Sequence, residues 1–267
     1  MSSAMSCIHQ DIYINHSQGQ IFSRIWTPLN YQANLAPLVL LHDSLGCIAV
    51  WRDFPRQLAQ CLGRQVIAYD RLGFGQSSAR LEKIAFSFIE DEAKNDFARV
   101  KQQLNIKEFV VLGHSVGGSM AVHCAAAYPQ DCQGLITIAA QAFTETNTRV
   151  GLQQAKIQFS DPQQFSRLTK YHGQKSAWVL SAWLDTWLDA AFDDWSLAEV
   201  LPKVICPTLA IHGQFDEYGS MAHPQTIAHS VSGRGRWWMV EGAYHVPHRE
   251  KNEEIVALMM DFMKELP

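Results

Sequence analysis

Concentrated charge of one sign is missing from this chain of 267 residues: 22 Lys and Arg face 26 Asp and Glu, for a net −4, and no basic stripe or run stands out. The electrostatic footprint of a nucleic-acid binder is therefore absent, and no nucleic-acid partner is expected. No apolar stretch approaches the ~20 residues that cross a bilayer, so no membrane span is expected. The first ten residues lack a basic segment followed by an apolar one, which argues against a secretory signal and for a soluble, cytoplasmic protein. The six cysteines (Cys7, Cys47, Cys61, Cys124, Cys132, Cys206) include no C-x-x-C spacing. A zinc site or dithiol motif is disfavoured, and the thiols read as small buried hydrophobes. No metal or cofactor is implied.

What remains is ordinary globular material, 47% hydrophobic and 18% charged, long enough to bury a substantial core. Residues 8 to 26 alternate loosely around a turn-like His16-Ser17-Gln18-Gly19, suggesting an antiparallel hairpin. The runs Pro37–Leu41, Gln65–Tyr69 and Glu108–Leu112 are short, continuously apolar and separated by helix-length segments. Gly134–Ala139, Pro207–Ile211 and Arg236–Val240 continue the series. This pattern predicts an α/β fold with a parallel sheet covered on both faces. Helices are expected near 49 to 62, 88 to 104, 116 to 128 and 252 to 265.

Between 141 and 200 the strand rhythm stops in favour of a glutamine-rich, then tryptophan-rich helical stretch. It reads as an inserted cap, 141–200, on a core made of 1–140 and 201–267. Leu180, Trp183, Leu184, Trp187 and Leu188 share one helical face, which either packs on the body or lends Trp183 and Trp187 to a substrate cavity.

Gly113-His114-Ser115-Val116-Gly117 lies directly after the apolar run Phe109–Leu112 and before a helix-like stretch. That is the strand, sharp turn and helix setting of an exposed, strained nucleophile, with flanking glycines that permit the tight bend. A serine hydroxyl needs a base, and the base needs a carboxylate to fix its tautomer. His245, in the loop after the last strand, is the candidate base, with His248 as a packing neighbour. Asp216, just beyond the strand ending at Ile211, is the candidate acid; Glu217 reads as solvated, and Glu145 is the first carboxylate after the strand ending at Ala139. The Val116 amide is the expected first oxyanion donor, and the Ser44 amide, in the loop after the first long parallel strand, the second. His114 is a structural neighbour and a candidate for the pocket wall. Asp70-Arg71-Leu72-Gly73-Phe74-Gly75-Gln76-Ser77 lacks a nucleotide-loop pattern and reads as a tight turn.

With these segments the chain resembles the α/β-hydrolase superfamily, in its capped esterase, lactonase and carbon–carbon hydrolase branch. Gly113–Gly118 is similar to the family's elbow, His212–Asp216 to its acid loop, Gly242–His245 to its histidine loop and Asp70–Ser77 to a turn after its fourth strand. The resemblance implies a mostly parallel, doubly wound, eight-stranded sheet and a small-molecule substrate. Asp43 stands where the family commonly has glycine, and Asp43-Ser44-Leu45-Gly46 looks similar to a segment of the enol-lactonases. The reaction expected is hydrolysis of a small carboxylic ester or lactone through an acyl-enzyme. Carbon–carbon cleavage or a lyase-like reaction is the alternative, favoured if Arg149, Arg167 or Lys170 reaches the cavity at Ser115. A ligand-binding protein that has lost turnover is the third.

Overall fold

The runs Leu38–Leu41, Val66–Tyr69, Phe109–His114 and Thr208–Gly213 are buried at every position, so they can exist only between two covering layers. The computed structural model describes residues 7–267, and the sequence reading of Met1–Ser6 lies outside it. An antiparallel hairpin opens the chain, β1 (Cys7–His16) and β2 (Gly19–Pro28). It is followed by β3 (Leu38–Leu41), α1 (Phe54–Leu62), β4 (Val66–Tyr69), α2 (Phe88–Lys94), α3 (Asp96–Gln103), β5 (Phe109–His114), α4 (Val116–Ala127) and β6 (Cys132–Ile138). Three helices come next, α5 (Thr146–Phe159), α6 (Pro162–His172) and α7 (Ser176–Trp187). The chain then returns through β7 (Thr208–Gly213), α8 (Ala222–Ser230), β8 (Gly235–Val240), α9 (Pro247–Glu250) and α10 (Asn252–Met263).

All eight strands form one sheet in the order β1-β2-β4-β3-β5-β6-β7-β8, parallel from β4 to β8 and antiparallel at β1 and β2. Strand β3 pairs with both β4 and β5, so the chain leaves it towards opposite sides of the sheet. The loops after β3 and β5 consequently diverge at the carboxyl edge, where open α/β sheets leave a crevice for ligands.

Each face carries its own core. Val39, Leu41, Val111 and Leu135 point to one side with Phe97, Met120 and Val122. Leu38, Leu40, Leu112 and Ile136 point to the other, covered by Leu58 of α1 and by Ile255, Met259 and Phe262 of α10. At roughly 1.5–3 kcal/mol for each large apolar side chain buried, these helix faces hold the layers on the sheet.

Four local expectations need correction. The helix expected over 88 to 104 is two, broken at Asn95 (φ −109°, ψ −90°). The segment expected as a helix over 49 to 62 begins as a 3₁₀ turn, Ile48–Trp51, before α1. Cys61 is exposed on α1 and Cys7 is half-buried, rather than buried like the other four thiols. Strand β8 is an edge whose Trp237 and Trp238 are exposed, so the sheet is not covered on both faces there. Among the described residues no helix is long and apolar enough to cross a membrane.

Candidate active site

Ser115 is the one residue between β5 and α4, and it turns the chain with φ 55° and ψ −128°. A non-glycine residue in the positive-φ region is strained and persists only where the surroundings over-determine it. Here the Ser115 N–H donates to Ile138 O (2.8 Å) and its carbonyl accepts from Gly118 N (2.8 Å), which pins both sides of the turn. Close approach does the rest: a Cβ on Gly113 would lie 1.9 Å from Gly117 O, and one on Gly117 2.2 Å from Leu41 O. The glycines are required by contact with the neighbouring strand and helix.

Asp216 lies three residues past the end of β7. Its side chain is fully buried, and both carboxylate oxygens stand 2.9 Å from His245 Nδ1. The Tyr218 N–H donates to Oδ1 (2.8 Å), and His212 Nε2 lies 3.2 Å from Oδ2. Burial opposes charge on Asp216, but the charge and hydrogen bond of His245, aided by His212, hold its carboxyl below the usual range. Burial likewise opposes charge on His245, yet Asp216 outweighs it and raises the imidazole above its ordinary value. An ionised carboxylate only accepts, so Nδ1 carries the hydrogen and Nε2 of neutral His245 is left bare as a proton acceptor.

Ser115 and His245 line one cavity of about 160 Å³, together with Ser44, Leu45, Gln141, Tyr218 and Val246. Trp183 and Trp187 of α7 and Thr148 and Leu152 of α5 line it from the other side. Trp187 also packs against Phe192 and Trp195, so its ring serves the body and the cavity wall at once. Among the described residues neither the Ser44 nor the Val116 N–H donates to an acceptor within the protein, and Val116 opens α4, where the positive end of the helix dipole lies.

The loop bearing Ser44 is braced from beneath. His42 Nδ1 donates to Asp43 O (2.8 Å), and His42 Nε2 accepts from Arg71 N (3.1 Å). Burial, reinforced by the Arg71 charge, pushes the His42 pKa well below its usual value and keeps this bracing imidazole neutral. The Arg71 side chain adds a bond from Nη2 to Asp43 O (2.7 Å). The turn at Asp70 is structural: its carboxylate accepts from Ile48 N and Gln76 N, each at 2.6 Å.

The other candidates sort themselves by their contacts. His248 is buried against Trp51, Phe54 and His114 and makes no contact with Asp216. Glu145 accepts from Ser220 N (2.6 Å) and sits 3.1 Å from His223 Nε2, which ties it to the loop after β7, away from His245. Glu217 is exposed. His114 lines the cavity, with Nδ1 3.2 Å from Asp43 Oδ2 and Nε2 2.8 Å from His245 O. One residue and one contact escaped the sequence reading. Tyr218, whose ring meets His245 edge-on at 4.8 Å, had a signal in lying two positions past Asp216; the Asp43–His114 contact, spanning 71 positions, had none.

Sheet order, a strained serine between strand and helix, and a buried carboxylate–histidine pair at the same edge define a protein of the α/β hydrolase class. The chain belongs to the alpha/beta hydrolase fold family, whose sequence pattern matches residues 36–181. It is similar to the mouse serine hydrolase BPHL, at 28% identity over 222 residues, 79% of this chain and 74% of that protein. Its fold is similar to the crystal structure of a proline iminopeptidase from Mycobacterium smegmatis (TM-score 0.71, 23% identity, 96% of this chain and 98% of that one). An enol-lactonase from Burkholderia xenovorans is similar too (TM-score 0.73, 18% identity, 95% of this chain and all of that one).

Proposed function

We propose that the protein is a serine hydrolase that cleaves a small carboxylic ester or lactone through an acyl-enzyme on Ser115. The observation that carries the reading is the strained serine and the Asp216-bound imidazole of His245 lining one cavity. In this reading His245 Nε2 takes the Ser115 proton as Oγ bonds to the carbonyl carbon. The carbonyl oxygen becomes an oxyanion, for which the N–H groups of Ser44 and Val116 are the donors. The imidazolium then protonates the leaving oxygen as the carbon–oxygen bond breaks, and a water activated by the same base releases the acid. Asp216 holds the tautomer and supports the transient positive charge.

Residues 141–200 act as a cap on a core of 1–140 and 201–267, supported by α5 and α7 lying between β6 and β7 and lending side chains to the cavity. With indole, leucine and threonine groups on that side, the acyl portion favoured is small and largely apolar. Carbon–carbon cleavage draws no support from the cavity at Ser115: Arg149, Arg167 and Lys170 are not among its lining residues, and Arg149 is engaged by Asp193 and Leu188 O.

The test is the pH dependence of kcat/KM on a short acyl ester. His245 is active when neutral and its pKa is raised, so kcat/KM rises with pH through a midpoint above 6.5. In Asp216→Asn the main supporting charge is gone, and burial lowers the imidazole pKa against only the smaller opposing charges of Glu217 and Asp43. The midpoint falls, and turnover drops by roughly 10⁴-fold, as when a triad carboxylate is neutralised elsewhere. A midpoint unmoved by the substitution contradicts the role of Asp216.

A further inference from the structure

Beyond the cavity at Ser115 lies a second hollow of about 250 Å³, and the two share Asp43, Leu45 and Val246 as a common wall. Its own lining includes Arg167 of α6 and Arg249 of α9 above apolar Val50, Phe159 and Leu168. Arg249 is half-buried: one guanidinium nitrogen bonds to Val50 O, while its Nε is buried without a partner. Arg167 reaches only Gln164 Oε1 (3.1 Å). Among the described residues neither arginine pairs with a carboxylate, unlike Arg24, Arg56, Arg149, Arg234 and Arg236, though Arg52, Arg64, Arg71, Arg80 and Arg99 are likewise without one. The carboxylate on the shared wall, Asp43, is already held by His114 Nδ1 and the Leu45 N–H. Burial of a guanidinium is costly, and an oxyanion in the hollow is the ligand whose geometry pairs with Arg249 Nη1, which is not buried and holds no bond within the described residues.

The position of this hollow relative to the chemistry identifies which part of a substrate would occupy it. The leaving group must receive its proton from His245, so it departs on the His245 side, and Val246, the next residue, forms the wall between the two spaces. We propose that this hollow is a leaving-group subsite in which Arg167 and Arg249 bind a terminal anionic group, carboxylate or phosphate, carried on an apolar alcohol. The substrate class is an ester with a small apolar acyl part and an acid-terminated alcohol part. This rests on the serine-hydrolase reading and deepens it.

The experiment compares butyrate esters of n-alcohols with those of ω-hydroxy acids and ω-hydroxyalkyl phosphates of matched length, from about four to eight carbons. Charge-assisted pairing predicts that at one chain length an acid-terminated ester has kcat/KM about tenfold above its neutral counterpart, mainly through KM. The preferred end group tells carboxylate from phosphate. Arg167→Gln, on an exposed helix face, and Arg249→Gln each bring the ratio of charged to neutral kcat/KM towards one, and high salt does the same. A ratio at or below one at every length, or a ratio unchanged in both variants, overturns the subsite. If no ester is turned over, the hydrolase reading falls and the subsite is judged on 6-hydroxyhexanoate binding by calorimetry. Binding weakened by Arg167→Gln supports it, and binding that is absent or unaltered by that change overturns it.

Discussion

Ser115→Ala lowers turnover of a short acyl ester by about 10⁴-fold or more while leaving the fold intact, a drop of the size seen when a triad nucleophile is removed. The size of the loss follows from what alanine leaves behind. His245 stays bound to Asp216 and the N–H groups of Ser44 and Val116 stay in place, so the residual rate is that of water reacting in a preorganised cavity. The fold survives because Ser115 holds its turn through backbone N–H and C=O groups, which alanine retains. Alanine carries the same Cβ into the positive-φ conformation and adds no new clash there. Steady-state kinetics with a thermal melt on the same sample separates lost chemistry from lost structure. A variant that melts normally and turns over at the parent rate would remove Ser115 from the mechanism.

The second large effect falls on stability. Gly113→Ala puts a methyl group 1.9 Å from Gly117 O, 2.2 Å from Gly117 C and 2.4 Å from Gly118 N. All three are backbone atoms where β5 gives way to α4, so no rotamer change relieves the overlap, and either the strand or the helix must move. Overpacking in a close-packed interior costs about 1–3 kcal/mol, and this contact belongs at or beyond the upper end. At about 2–4 °C of melting temperature per kcal/mol in a chain of this length, the loss is roughly 6–12 °C or more. Gly173→Ala is the informative comparison. That glycine has a positive φ, 58°, which Gly113 does not, but nothing lies within 4 Å of where the methyl would go, so only backbone strain of about 1–3 kcal/mol is added. Equal melting temperatures for the two variants would show that close approach is not what demands glycine at the elbow.

The architecture was legible wherever burial imposes a pattern on the chain. Leu38–Leu41, Val66–Tyr69 and Phe109–Leu112 are buried at every position, and a run with no polar side chain is what a central strand needs. The candidate site was legible because its members are tied to element ends: Ser115 after β5, Asp216 beyond β7 and His245 beyond β8. The break at Asn95 was hidden by the same logic that revealed the helices around it. Ile89, Ala93, Phe97 and Val100 are all buried and keep helical spacing across the break, so periodicity alone reads one helix where there are two. Helix α8 left a weak trace: its buried apolar residues are Pro224, Ile227 and Ala228, and a buried histidine, His223, completes its inner face. The exposure of Trp237 and Trp238 is a property of edge position, and strand order is not written into the composition of a strand.

The same boundary separates the parts of the site. Asp43 was visible as a departure from the residue expected after His42, but its partner, His114, is a tertiary neighbour that no local pattern announces. Trp183 and Trp187 could be placed on a helical face without showing which way that face points. In the structure both rings reach the cavity, while Leu184 of the same face is buried in the core. Local sequence fixes which side chains travel together, and packing decides what they meet.

The most direct measurement is mass-spectrometric mapping of the covalent adduct formed when the protein is quenched during turnover of a short acyl ester, or treated with a fluorophosphonate. A single modification is expected on the peptide containing Ser115, abolished by Ser115→Ala and much slowed in His245→Ala. Ester turnover with that peptide unmodified, or labelling of another residue at the same rate in the Ser115→Ala variant, would contradict Ser115 as the nucleophile.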